Sequence, residues 1–405
     1  MTVAESRPTC SRVHVIGAGP VGLLLTALLQ TIDGLSVRLY EKRTDYTRTR
    51  MVKLASYLVA DSLDSYRADH IDGETVEAVF DPAEIAEGLA FRRSIPADLM
   101  SLLEEWAQGF SPLNHIERAL SQLIDARATA VQRIEAPVSA VEAQAMVEPG
   151  DVIVDCTGAR SLLRDYLSSD NAGVEGANTY SLRLEYAIVV TFLYGQHYVC
   201  NEHCKYYKNI DNSHYKFIPA VERTSYDGSI SHVTGIVNIT AADFEAMPPR
   251  FDGDWLRANF PEVARSMDRF IDKIKEETNG EILGDLEAIR IPLLLYRARN
   301  TTSRRRTAGP GSDPLGGSPV FLVGDSAMGS PYFQSISLGF ESAMYLAGLI
   351  AQRHLPLRDM QERYELYMYK QWLRVYMRSK MIKHNKDLFE SVDDPLAMLN
   401  KLHIY

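Results

Sequence analysis

The stretch that decides the fold is Val13-His-Val-Ile-Gly-Ala-Gly-Pro-Val-Gly-Leu-Leu-Leu-Thr-Ala-Leu-Leu29. Residues 13–16 form an apolar run rich in β-branched side chains, which predicts a buried parallel strand. Gly17, Gly19 and Gly22 then match the Gly-x-Gly-x-x-Gly spacing of a dinucleotide-binding turn. In such a turn the first glycine permits a tight bend, the second admits a pyrophosphate close to the backbone, and the third lets the next helix pack on the strand. The stretch therefore predicts a nucleotide site at the end of the first strand.

The residues that follow supply the context that a lone glycine motif lacks. We expect a helix to begin near Pro20, because the first helical position tolerates a residue without an N–H, and its N-terminal amides would face phosphates. Residues 36–40 predict a second strand, and Glu41 ends it, 41 − 22 = 19 residues past the last glycine. That spacing is close to the ~20 residues typical of the acid that binds a ribose. Two alternatives, an ordinary glycine turn and a signal or membrane segment, fit this context less well, because the run is short and contains His14.

Composition bounds the class of protein. The chain has 405 residues, 46% of them hydrophobic and 24% charged, which predicts a globular protein of two lobes. A net charge of −10 argues against a nucleic-acid partner or an anionic membrane surface. No later stretch predicts a membrane span. Four cysteines in this length do not make a disulfide scaffold, so a cytoplasmic location is expected. The segment Cys200-Asn-Glu-His-Cys204 suggests a metal site, but it lacks a second ligand pair, so no metal is expected.

The order of segments predicts a discontinuous first domain. Residues 1–178 and 290–355 are expected to form the nucleotide-binding domain, because apolar strands at 151–155 and 319–323 complete its sheet. Residues 179–289 change in composition and read as β-branched and tyrosine-rich antiparallel strands of a second domain. Residues 356–405 are expected to form a C-terminal helical segment. The predicted fold is thus α/β, with a Rossmann-like lobe, an antiparallel-sheet lobe and a C-terminal helix.

Three segments in this order resemble the FAD-dependent monooxygenases of the para-hydroxybenzoate hydroxylase fold, the class A flavoprotein monooxygenases. The first is Gly17-Ala-Gly-Pro-Val-Gly22 with Glu41. The second, Asp155-Cys-Thr-Gly-Ala-Arg-Ser161 with Arg164, is similar to the family's central Asp-Gly segment. The third, Val320-Phe-Leu-Val-Gly-Asp-Ser-Ala327, is similar to its second FAD signature. The match covers the nucleotide lobe and little of the second lobe.

This resemblance implies FAD as the cofactor and NAD(P)H as a transient reductant. Glu41 would accept hydrogen bonds from the adenosine ribose, Asp325 would meet the ribityl and pyrophosphate region, and a helix beginning near Gly339 would face the flavin. Arg118 matches the family's arginine that lies against FAD. The expected cofactor-binding residues are Gly17, Gly19, Pro20, Gly22, Glu41, Lys42, Arg50, Arg118, Asp325 and Gly339.

The resemblance also predicts an oxidoreductase that hydroxylates or epoxidises a small to medium organic substrate, aromatic or like a secondary metabolite. The expected substrate-lining residues are Arg50, Tyr215, Tyr296 and Arg297, in a monomer or homodimer. The chain departs from the family's glycine-rich flavin loop at Gln334 and Ser335. That departure leaves two alternatives open, a redox-neutral FAD-dependent cyclase and a non-catalytic FAD-binding sensor or partner protein.

Overall fold

The computed structural model describes residues 10–43, 45–48, 51–67, 70–109, 111–129, 131–168, 171–196, 215, 217–224, 229–303, 319–330 and 335–392. It divides into two units. The first comprises the described residues within Met1–Leu182 and Leu295–Met381, and the second those within Arg183–Leu294 and Ile382–Tyr405.

The strands are β1 (Arg12–Ile16), β2 (Ser36–Tyr40), β3 (Met51–Val52), β4 (Ser111–Pro112), β5 (Gln132–Ile134), β6 (Asp151–Asp155), β7 (Thr179–Tyr194), β8 (Phe217–Thr224), β9 (Ser231–Ile239), β10 (Arg250–Asp252), β11 (Ile282–Ala298), β12 (Val320–Leu322) and β13 (Met328–Gly329). The helices are α1 (Pro20–Leu29), α2 (Leu63–Arg67), α3 (His70–Val79), α4 (Pro82–Arg93), α5 (Ala97–Gln108), α6 (Leu113–Ala126), α7 (Ala140–Ala145), α8 (Ala241–Ala246), α9 (Gly253–Asn259), α10 (Pro261–Thr278), α11 (Ser335–Ala351) and α12 (Leu357–Val392).

A parallel sheet organises the first unit. Its strand order is β12-β6-β1-β2-β5, and every neighbouring pair in it is parallel. Helix α1 is apolar on nearly all sides, and residues 22–29 of it are all buried. A helix of that kind belongs inside a protein, and α1 accordingly contacts both α6 and α11.

An antiparallel sheet organises the second unit, in the order β10-β11-β7-β9-β8. Strand β9 alternates buried and half-buried residues along its whole length, as expected for a sheet with one face on a core. Helix α10 buries Val263, Met267, Phe270 and Ile274 at helical spacing against that core.

The predicted fold class is confirmed, since a parallel sheet with a β1–α1–β2 unit, an antiparallel sheet and a long C-terminal helix are all present. The predicted domain boundaries at 178, 289 and 355 stay a prediction. Within the described residues, no helix is long and apolar enough to cross a membrane.

Candidate nucleotide site

One edge of the parallel sheet gathers the three sequence signatures. Ile16 at the end of β1 lies level with Tyr40 in β2 and with Asp155 in β6, and Asp155 lies level with Leu322 in β12. The glycine turn, Glu41, and the loops after β6 and β12 therefore all emerge at the carboxyl edge of the sheet. Open α/β sheets bind ligands at this edge, where the strand order reverses; here it reverses at β1, whose next strand lies on one side and β6 on the other.

The turn between β1 and α1 needs glycine at two positions. Gly17 has φ +100°, and its N–H donates to the carbonyl of Tyr40 at 2.8 Å. A Cβ on Gly22 would lie 1.9 Å from the Gly17 carbonyl oxygen, so only glycine allows α1 to begin so close to the strand. Helix α1 begins at Pro20, as expected. A Cβ on Gly19 would meet only the guanidinium of Arg48, at 3.3 Å. The backbone at Gly19 is therefore covered by a flexible side chain that can move.

Glu41 is held at the end of β2 by protein donors. Its Oε2 accepts the N–H of Ala18 at 2.8 Å and Nη2 of Arg43 at 3.3 Å. Its Oε1 accepts the backbone N–H of Arg43 at 3.0 Å and the Nε of that residue at 3.3 Å. Burial raises the pKa of Glu41, but the hydrogen bonds from Arg43 and Ala18 outweigh it and lower the pKa below the ordinary value. The carboxylate is 13% exposed and the Arg43 side chain 40%, so a ligand hydroxyl reaches Glu41 by displacing Arg43.

Helix α6 buries a charged residue, Glu117, which the sequence reasoning missed. Glu117 is fully buried beside Leu120 and Ile124, whereas Arg118 is exposed and donates to the carbonyl of Tyr46 at 3.2 Å. Glu117 forms an ion pair with Arg48, and its Oε2 is buried without a hydrogen-bond partner. Burial raises the pKa of Glu117, and Arg48 lowers it less. The apolar spacing of α6 contains the signal, because 117, 120 and 124 share one helical face.

The loop after β6 is tied together by Asp155. One carboxylate oxygen accepts the N–H and hydroxyl of Thr157 at 2.8 and 2.6 Å, and the other accepts the Ser161 hydroxyl at 2.7 Å and the Leu163 N–H at 2.9 Å. Asp155 is fully buried. Its role in this structure is to shape the edge, with all four acceptor positions occupied by the protein.

Asp325 and Tyr296 lie together beyond β12. Asp325 is in a short turn of residues 324–326, and its carbonyl accepts the Tyr296 hydroxyl at 2.8 Å. The guanidinium of Arg164 lies over the Tyr296 ring, 5.3 Å from its centroid, and its Nε is buried without a hydrogen-bond partner. Burial and the charge of Asp325 raise the pKa of Tyr296 far above its usual value. A predicted cofactor residue and a predicted substrate residue thus share one cluster.

Gly339 lies inside α11, because that helix begins at Ser335 and not near Gly339 as predicted. A Cβ on Gly339 would lie 2.6 Å from a methyl group of Val21 and 3.3 Å from Gly324, so glycine permits the close approach of α11 to α1. The free amides of the helix start belong to residues 335–338. Gln334, in the loop that departs from the family pattern, lies outside the described residues.

The other predicted residues are dispersed. Lys42 is exposed beyond β2. The Arg297 guanidinium lies 5.3–5.9 Å from the ring centroids of Tyr180, Tyr369 and Trp372. In the second unit, the Tyr215 hydroxyl donates to Asp243 at 2.8 Å, and burial followed by that hydrogen bond raises its pKa to about 12. Arg50 lies outside the described residues. The roles predicted for these four residues stay predictions.

The residues at the sheet edge fit the pyrophosphate and ribose of a dinucleotide. A phosphate could approach the backbone of this turn closely at its glycines, which have no side chains. The guanidinium of Arg48 would lie 3.3 Å from a Cβ built on Gly19, and its partner Glu117 has a buried acceptor without a donor. Glu41 follows the end of the second strand, where folds of this kind place the acid that binds a ribose.

No protein-family model and no curated protein matches the sequence. Among solved structures, similarity extends to the Diels-Alderase PyrE3 of pyrroindomycin biosynthesis (15% identity, 95% of this chain and 77% of that chain, TM-score 0.49). It also extends to Klebsiella pneumoniae HpxO complexed with FAD and uric acid (15%, 95% and 92%, 0.49) and to the tetracycline destructase Tet(51) (12%, 96% and 98%, 0.47). At 12–15% identity, none of these likenesses assigns this chain a function.

Proposed function

We propose that this protein is an FAD-dependent monooxygenase that consumes NAD(P)H and acts on a small or medium organic substrate, aromatic or like a secondary metabolite. The observation that carries the proposal is the convergence of three separated segments at one sheet edge. The glycine turn, Glu41 and the Gly324–Asp325 turn follow β1, β2 and β12, and the sheet register brings them level. A site for a nucleotide with an adenosine half is what this arrangement favours.

The residues have distinct roles in the proposal. The amides at the start of α1 and the guanidinium of Arg48 would bind the pyrophosphate, and Glu41 would bind the adenosine ribose. Asp325, supported by Tyr296 and Arg164, would meet the ribityl side, and the first turn of α11 would direct its amides at the flavin. When bound, the flavin supplies the redox chemistry with oxygen, and the protein positions it and excludes water.

Two features of the described residues are consistent with the proposed cofactor enzyme. Among the described residues, no group of three or more His, Cys, Asp or Glu side chains is placed to hold a metal ion. At the described sheet edge, Asp155 is saturated by Thr157, Ser161 and Leu163 and offers no base. The reactive atoms would then be those of the flavin, with the chain orienting them.

Two measurements test the proposal in order. The purified protein should be yellow, and the chromophore released by heat should migrate as FAD and not as FMN. FMN lacks the adenosine half that Glu41 would hold. A panel of phenols and indoles should then include a compound that stimulates NAD(P)H oxidation and gains an oxygen atom by mass spectrometry. FAD without any stimulated oxidation would instead favour a cyclase or a sensor, and a protein without affinity for FAD would refute the proposal.

A further inference from the structure

The outer side of helix α12 carries a stripe of residues at heptad spacing. The members of this outer stripe follow one another at alternating intervals of four and three positions and are Glu362, Leu366, Tyr369, Leu373, Tyr376 and Lys380. Residues at this spacing share one face of a helix. Leu366 is 53% exposed and Tyr369 is 46% exposed, while Leu373 and Tyr376 are half-buried. An apolar stripe with this spacing is the pattern by which two helices pair.

The outer stripe is not the face by which α12 packs on the first unit. The residues that pack inward are a separate set, all buried: Met360, Tyr364, Met368, Gln371, Val375 and Ser379. The Tyr364 hydroxyl, for example, donates to the carbonyl of Leu322 in β12 at 2.8 Å. Helix α12 therefore has one face that packs on its own chain and a second, partly apolar face that the described residues leave accessible to solvent.

The outer stripe is complementary to a reversed copy of itself. The residues that stand at equal distances before and after position 371 are Glu362 with Lys380 (nine positions), Leu366 with Tyr376 (five positions) and Tyr369 with Leu373 (two positions). If a two-fold axis related two antiparallel copies of α12 at position 371, each glutamate would face a lysine and each apolar residue an apolar one. In a parallel pair, Glu362 would face Glu362 and Lys380 would face Lys380. The charges therefore favour the antiparallel arrangement.

The aromatic residues at the outer stripe are held in place before any partner binds. The guanidinium of Arg297 lies 5.5 Å from the ring centroid of Tyr369 and 5.3 Å from that of Trp372. Tyr376 stacks on Trp372, with ring centroids 5.7 Å apart and an angle of 14° between the ring planes. Tyr180 is 41% exposed and lies edge-to-face with Trp372 at 5.7 Å, which extends the surface beyond the helix. Ordered rings lose less conformational entropy on binding, and tyrosine, tryptophan and arginine contribute most to protein interfaces.

We propose that the outer stripe of α12 is the contact surface of a homodimer, in which the same helix of a second copy packs against it in antiparallel orientation. From Glu362 to Lys380 the stripe rises over 380 − 362 = 18 residues, or about 27 Å. The apolar centre excludes water, and the pair of Glu362 with Lys380 of the second copy, formed twice by the two-fold axis, fixes the register. A membrane surface explains the stripe less well, because it would not select an acid at one end and a lysine at the other. The proposal does not depend on the cofactor.

Exchanging the charges of Glu362 and Lys380 tests the register itself. Glu362→Lys would oppose two lysines at both ends of the helix pair, and Lys380→Glu would oppose two glutamates. Each single variant should raise the dissociation constant of the dimer about tenfold or more, because the two-fold axis makes every exchange count twice. The double variant restores opposite charges and should dimerise like the parent. An equimolar mixture of the two single variants should form a mixed dimer, because each lysine then faces a glutamate.

The measurement is sedimentation velocity of the full chain over a range of protein concentrations. Leu366→Asp places a charge in the apolar centre of the stripe and should abolish the dimer. Glu104→Lys is the matched control, because it makes the same charge change at an exposed position of α5 and should leave the dimer intact. The single variants should keep the fold of the parent, since Glu362 is 58% exposed and its neighbour Arg358 is 86% exposed, and thermal melting verifies this.

Three results would overturn the proposal. A parent that stays monomeric at every concentration, including one that binds phosphatidylglycerol vesicles instead, would show that the stripe does not pair with a second copy. A dimer of unchanged affinity in Glu362→Lys and Leu366→Asp would place the interface elsewhere. Weakened single variants that recover neither in the double variant nor in the mixture would exclude the antiparallel register. Should Leu366→Asp melt early, the milder Leu366→Ser serves in its place.

Discussion

Replacing Glu41 by alanine tests the nucleotide site most directly. Glu41 is surrounded by four hydrogen bonds from Ala18 and Arg43, with donor–acceptor distances of 2.8–3.3 Å. A carboxylate has about four lone-pair sites, so a ribose hydroxyl must displace a donor. The side chain of Arg43 is the donor that yields, since it is 40% exposed.

The size of the effect follows from this exchange. A hydrogen bond from ribose to an ionised carboxylate is worth about 1.5–3 kcal/mol, and the exposed ion pair it replaces is worth about 0–1 kcal/mol. Glu41→Ala should therefore weaken FAD binding by about 0.5–3 kcal/mol, or roughly 2- to 150-fold in Kd. Arg43→Met removes the competitor while leaving the carboxylate, so it should leave FAD affinity unchanged or tighten it by up to about fivefold.

The assay is flavin fluorescence quenching by the apoprotein for FAD, and calorimetry for ADP, which carries only the adenosine half. Glu41→Ala should weaken FAD and ADP by the same factor, and the apoprotein should keep its circular dichroism spectrum. Unchanged affinities for both ligands in Glu41→Ala would show that Glu41 does not hold the ribose. Weaker FAD binding in Arg43→Met would show that the arginine itself is a ligand contact.

The remaining predictions concern the scaffold. Gly22→Ala should destabilise the chain by about 1–3 kcal/mol or more in urea, because its Cβ would lie 1.9 Å from a backbone oxygen, whereas Gly109→Ala, which meets no atom within 4 Å, should change the midpoint little. Glu341→Gln should lower the free energy of unfolding by about 3–5 kcal/mol at neutral pH, because the buried Glu341 pairs with Arg92 and Arg374. The native pKa of Glu341 lies below its ordinary value of 4.5, so the stabilisation by its carboxylate is present above pH 4.5 and is lost as pH falls through the native pKa. The difference in unfolding free energy between parent and variant should therefore shrink on acidification, and an increase in that difference would contradict the prediction. Asp155→Asn should destabilise by about 3 kcal/mol, because the amide nitrogen would oppose a donor, and a midpoint equal to that of the parent would refute the assigned role.

Local pattern was enough to predict the parallel lobe. The β-branched run before Gly17, the glycine spacing and Glu41 at the end of the second apolar run each depend on neighbours close in sequence. The strand at β1, the helix start at Pro20 and the strand ending at Tyr40 all stand where the sequence predicts them. The change in composition near residue 178, which predicts an antiparallel lobe, is followed by the long strand β7.

Only the tertiary structure decided which residues meet across long separations. Arg118 stays a predicted FAD contact on the exposed side of α6. Packing of α6 on α1 turns its neighbour Glu117 inward, where it pairs with Arg48, 69 positions away. Gly339 reads as a helix start, and its contact with Val21 shows that it is a packing glycine one turn inside α11. Helix periodicity limits a residue to a face, and the partner on that face comes from another part of the chain.

The hydrogen-bond partners of the buried residue Glu341 also could not be predicted from the local sequence. Its partners Tyr66, Arg92 and Arg374 come from α2, α4 and α12, separated by up to 308 positions (374 − 66 = 308). Sequence by itself determined the elements β1, α1 and β2 and the sheet edge at which they meet, because those follow from local periodicity and spacing. The folded structure decided the charge pairs, because they arise only when distant helices pack together.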